Sequence, residues 1–161
     1  MTLIKNDLRP ELGDFSSIVC LKAIVTGIED ALGEQAAAIA LISAGRQRGK
    51  QLAEELDLVG KGSQSSVTEI KDQVREALGK NGTCLCIVDD IVEEDDTYKV
   101  LTRESVCTSG EAEGSTRNCT YTLGAIQGLL EAFLNKRLRG QHTQSVLSGD
   151  SHDVLEFTIF E

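Results

Sequence analysis

"TLGAIQGLLEAFLNKRL", residues 122–138, decides how the chain folds. Its apolar residues recur at helical spacing, with Leu123, Ile126, Leu130, Phe133 and Leu134 forming one stripe. Gly124 and Gly128 interrupt the helix at a cost of about 1 kcal/mol each relative to alanine. At 100° per residue the two glycines project nearly opposite that stripe, beside Thr120, Tyr121 and Asn135. A helix with an apolar face and a small-residue face has two neighbours to satisfy. The small face either receives another backbone or leaves room for a ligand. An earlier segment, "SAGRQRGKQLAEEL" (43–56), repeats the G-x-x-x-G step at Gly45 and Gly49. There the glycines lie within the apolar stripe of Ala38, Ile42, Leu52 and Leu56, as close helix packing requires.

Around these two helices the sequence predicts an α-α-α-β-β-α-β-β order. Asp14 or Ser16 can cap a first helix with stripe Ile18, Leu21, Val25, Ile28 and Leu32, stopped by Gly33. The glycine step lies in a second helix over about 35–57. "SVTE" (66–69) is a capping box opening a third helix, with stripe Ile70, Val74, Ala77 and Leu78, that ends at "GKNG". "TCLCIVDDIVEED" (83–95) begins as a strand, Cys84 and Cys86 facing one way and Leu85 and Ile87 the other. Its acidic half suits an exposed hairpin connection or a strand edge, and a second strand follows in "TYKVLTRESVCTSGE". Ser115 or Thr116 can cap the long helix, and "HTQSVLSGDSHDVLEFTIFE" closes the chain as a hairpin turning at 148–152. Helices and strands fall in runs, so the class is α+β: an antiparallel sheet of about four strands with helices packed on one side.

Composition narrows the partners. The 161 residues are 40% hydrophobic, enough for one domain with a real core, and the net charge of −10 repels phosphate backbones and anionic lipid. Nucleic acid and direct membrane insertion are therefore not expected. No apolar run approaches the length of a membrane span, and the acids and Pro10 near the N-terminus do not resemble a signal peptide. A cytoplasmic location with five free thiols follows as the expectation. The basic cluster at Lys136, Arg137 and Arg139 suits a helix end.

Three stretches in the same order, "LISAGRQRGKQLAEEL", "CTYTLGAIQGLLEAFLNKRL" and "VLSGDSHDVLEFTI", resemble the 4-vinyl reductase domain family. That family occurs in bacteriochlorophyll-synthesis proteins, phenol-sensing activators, archaeal small-molecule binders and cyanobacterial proteins, and is structurally similar to small TRAPP subunits. Cys119, Gly124 and Gly128 match one family element; Gly149, Asp150 and Phe157 match another. The resemblance covers about residues 12–160 of a single domain spanning 1–161. It implies a non-catalytic, hydrocarbon-binding module for an apolar or tetrapyrrole-like ligand, with links to pigment handling and photosystem assembly. A lipid-like bound molecule is the same expectation in another form. The alternative is a dimerising scaffold with a filled interior, and further off a reductase borrowing its reductant site from a partner. Cys119, Tyr121, Gly124 and Gly128 form the expected ligand-binding or contact face, and a homodimer or heterodimer is expected.

Zinc-containing relatives carry cysteines around the final G-D turn. This chain has none after Cys119, and Leu155 occupies the late position, so no metal is expected. Cys84 and Cys86 read as strand packing, and His142 and His152 as solvated turn residues. Ser151, His152 and Asp153 are sequence neighbours and cannot form a triad, which is defined by spatial roles. No acid, base and nucleophile set emerges.

Overall fold

The computed structural model describes Arg9, Glu11 and residues 17–160. Asp14 and Ser16 lie outside these. Ser17 caps α1 (Ile18–Leu32), its Oγ accepting from the Val19 N–H at 3.2 Å. Gly33 breaks the chain with φ +81, and α2 (Glu34–Glu55) follows at once. A 3₁₀ turn at Lys61–Ser63 leads to the capping box. Ser66 and Glu69 exchange their bonds at 2.8 and 3.2 Å, but regular helix α3 begins only at Lys71 and runs to Leu78. Strands β1 (Ile87–Glu94) and β2 (Thr97–Arg103) form a hairpin. Helix α4 (Tyr121–Leu134) leads to β3 (Leu138–Gln144) and β4 (Asp153–Ile159). The sheet is antiparallel in the order β1-β2-β4-β3. The class is α+β, with the expected element order. Among the described residues no helix is long and apolar enough to cross a membrane.

Several boundaries depart from expectation. The first strand starts at Ile87, not near Thr83. The N–H groups of Thr83, Cys84, Leu85 and Cys86 fold back to carbonyls of Ala77, Gly79 and Leu78 at the end of α3, and Cys84 sits at φ +54. Cys84 and Cys86 therefore do not share a strand face: the first is exposed, the second buried. Of the two places expected for the acidic stretch, it takes the strand edge: it lies in β1, an edge strand, and the turn is at Asp95–Asp96. Helix α4 likewise begins at Tyr121. Ser115 instead accepts from the Arg117 N–H within the preceding loop. The helix ends at Asn135 in the left-handed region, φ +52, a conformation that asparagine tolerates. Its C-terminal basic residues thus lie beyond it.

Helix α4 is buried on nearly every side. Leu123, Ile126, Leu130 and Phe133 join Val100, Leu155 and Phe157 of the sheet in the main core cluster. The opposite face packs on α2 by interlocking glycines. A Cβ at Gly45 would collide with the Tyr121 carbonyl oxygen, and one at Gly49 with that of Ala125. Reciprocally, a Cβ at Gly124 would meet the Ile42 carbonyl, and one at Gly128 the Arg46 carbonyl. Both G-x-x-x-G steps serve a single seam. Across it, Arg46 reaches Glu131 with two bonds of 2.6 and 2.9 Å, and the Leu138 N–H also donates to that carboxylate at 3.0 Å. The acid is satisfied in an otherwise apolar setting.

Candidate functional site

Beside the glycine seam, the helices part. A cavity of about 150 Å³ opens where α1, α2, the end of α3 and α4 meet. Leu21 of α1, Leu52 of α2, Leu78 of α3 and Leu85 after it supply its apolar walls. Gly49 and Ala125, from the two faces of the seam, give it depth because neither carries a large side chain. Its polar groups are Arg48, Thr83 and Tyr121. The Thr83 Oγ1 is buried and finds no hydrogen-bond partner among the described residues. Burial pushes the Tyr121 hydroxyl up, and the charge of Arg48 works against that rise. Arg48 also holds Glu55 at 3.0 and 3.1 Å.

The expected site residues therefore separate. Tyr121 lines the cavity. Gly124 and Gly128 face the backbone of α2 of the same chain. Gly45 faces that of α4, and Gly49 both packs against it and borders the cavity. Cys119 lies elsewhere, in a buried polar cluster that ties the loop before α4 to the last hairpin. There His142, only 4% exposed, is not a solvated turn residue. Its Nδ1 accepts from the Cys119 N–H at 3.2 Å, which leaves the ring proton on Nε2 to donate to Asp153 at 3.0 Å. Asp153 also accepts from the Thr108 hydroxyl at 2.6 Å and the Val146 N–H at 3.2 Å. Burial pushes the Asp153 carboxyl up, but the bonds from His142, Thr108 and Val146 outweigh it and hold it below its ordinary range. His152 is also partnered, meeting Asp89 at 2.8 Å.

Donor atoms of Cys119, His142 and Asp153 all lie within 4.8 Å of one another, a spacing a divalent metal could use. The donors are already committed, however. Both ring nitrogens and both carboxylate oxygens carry hydrogen bonds, and the Cys119 thiol meets Ser105 Oγ at 3.7 Å. As arranged, the residues fit a hydrogen-bonded strut and not a coordination sphere. Cys107 completes this cluster. Hydrogen bonding from the Cys119 thiol lowers the Cys107 thiol well below its ordinary value, against its burial. The Cys119 thiol is raised by the same bond.

No protein-family model matches the sequence, and no curated protein matches it. Solved structures do. The phenol-responsive sensory domain of the transcription activator PoxR, solved with phenol, superposes with a TM-score of 0.63 at 15% identity, over 91% of this chain and 76% of that one. The two share one fold. A trafficking protein particle complex subunit 3 from Naegleria fowleri, covalently bound to palmitic acid, gives a TM-score of 0.54 at 15% identity, over 89% of this chain and 93% of that one. Both carry the α+β arrangement expected of a fold distantly like that of the 4-vinyl reductase domain.

Proposed function

We propose that this chain is a non-catalytic binding module for a small apolar molecule, held in the cavity beside the α2–α4 seam. The cavity carries the reading: leucine walls, a few polar groups and about 150 Å³ of space between packed helices. Small-molecule sites have this character, concave and mostly apolar with few polar groups. An engineered apolar cavity of similar size takes up benzene. The PoxR domain, of the same fold, was solved with phenol. One ring or a short chain matches the space. A tetrapyrrole has four rings and would force the helices apart, so we propose no pigment-handling or photosystem role. Among the described residues no nucleophile, base and acid converge on the cavity, which argues for binding without catalysis. Mass spectrometry of protein purified from its own host tests this: a small molecule released on denaturation is the expected result. Failure to carry any molecule, with no uptake of phenol or toluene, would contradict it.

A second reading, the dimerising scaffold, has its own observation. Ile24 and Leu32 of α1 and Ile39 of α2 are 58–74% exposed, apolar side chains that nothing in the chain covers among the described residues. We propose that they belong to the interface of a homodimer or heterodimer. Light scattering at micromolar concentration should report an assembly larger than one chain; a monomer there, with no partner recovered from the host, would count against it.

A further inference from the structure

The polar groups of the cavity are more informative than its walls. Arg48 and the hydroxyls of Thr83 and Tyr121 can all donate a hydrogen bond, and among the described residues no Asp or Glu lines the space. The Thr83 hydroxyl is the most telling. A buried hydroxyl without a partner is destabilising, and buried polar groups are rarely left so. Thr83 itself lines the cavity, which makes a bound molecule one source of the missing partner. Arg48 gives Glu55 one N–H from each terminal nitrogen. Of the five donors of a guanidinium, the Nε–H and two others remain for a second acceptor. Arg48 and Tyr121 both line the cavity, so the charge of Arg48 borders the space.

Resting on the reading of the chain as a binding module, we propose that the cavity selects small carboxylic acids: an apolar body of one ring or about six carbons among the leucines, and a carboxylate meeting Arg48, Thr83 and Tyr121. Charge-assisted bonds to a carboxylate are about twice as strong as neutral ones. Glu55, outside the cavity, competes for Arg48 and sets the affinity.

Calorimetric titration of the full chain with benzoate and with benzamide, its neutral isostere, tests the assignment. Benzoate should bind about tenfold tighter or more. Arg48→Met should remove that preference, and Glu55→Gln should strengthen benzoate binding. Thr83→Val should weaken benzoate while raising the melting temperature of the free protein, a pair of opposite effects that a misfolded variant cannot give. Equal binding of the two probes, or tighter benzamide, would overturn the acid selectivity and leave the binding-module reading standing. Benzoate binding that survives both Arg48→Met and Thr83→Val would overturn the placement of its carboxylate. Absence of binding by benzoate, benzamide and toluene alike would overturn both this inference and the reading beneath it.

Discussion

Replacing Gly128 with alanine adds one methyl group, and the structure dictates where it goes. Besides the Arg46 carbonyl oxygen, it would lie 2.8 Å from the Arg46 carbonyl carbon and 3.0 Å from its Cα. Carbon atoms prefer about 3.5–4.0 Å, so the carbonyl carbon alone demands about 0.7 Å of local separation between α2 and α4, and the nearer oxygen demands more. Every obstructing atom belongs to the backbone, so no side-chain rotation relieves the contact. Overpacking of this kind costs about 1–3 kcal/mol, and the better helix propensity of alanine returns up to about 1 kcal/mol. The net should be a loss of about 1–2 kcal/mol, or roughly 2–8 °C in melting temperature for a chain of this size. Gly27 is the internal control. It lies mid-α1, and a Cβ there meets nothing within 4 Å, so Gly27→Ala should stabilise by up to about 1 kcal/mol. Urea and thermal unfolding of both variants decide the matter. If Gly128→Ala were as stable as the parent, or gained as much as Gly27→Ala, the interlocking seam would be the wrong account of these glycines.

Other perturbations follow from the buried polar groups. Arg46→Met leaves the Glu131 carboxylate with Gln127 and the Leu138 N–H but no cation. Because Arg46 is about one-third exposed, the loss should be about 2 kcal/mol and not the full cost of stranding a deeply buried charge, as read by urea unfolding. Asp153 is held below its ordinary pKa, so its contribution is present at neutral pH and disappears as pH falls through the folded value. Asp153→Asn should flatten the acid limb of a stability–pH curve; an unchanged limb would refute the role given to its hydrogen bonds. Asp89, lowered to about 2 by Arg103 and His152, adds to the same limb and is separable by Asp89→Asn. Since the donors of the Cys119–His142–Asp153 cluster are committed to hydrogen bonds, EDTA should leave the melting temperature unchanged, and a fall of several degrees would show a metal at work.

Elements with strong local periodicity were legible in the sequence. The α4 stripe, both glycine steps and the closing hairpin all follow from 3.6- and 2-residue patterns that survive in the fold. Boundaries set by distant contacts were not. Nothing local shows that the chain from Thr83 to Cys86 bonds back to α3, or that α4 waits until Tyr121. Glu131 was the nearest to a signal: a single acid in "LLEAF" demands a partner. That partner, Arg46, lies 85 positions away, beyond the reach of any local pattern. His142 and Asp153 reach each other across the β3–β4 hairpin, and their neighbours Thr108 and Cys119 come from a loop that has no periodicity to read. The cavity was half visible. Of the expected ligand face only Tyr121 lines it, Gly49 read as close packing, and its leucine walls come from four separate segments.

Methyl NMR of leucine-labelled protein titrated with toluene reads the proposed small-molecule site beside the α2–α4 seam at its own walls. Saturable shifts should appear in Leu52, Leu78 and Leu85, with Leu155 on the sheet unchanged. Shifts confined to Leu155 and its neighbours, or none at saturating toluene, would contradict a binding site at this seam.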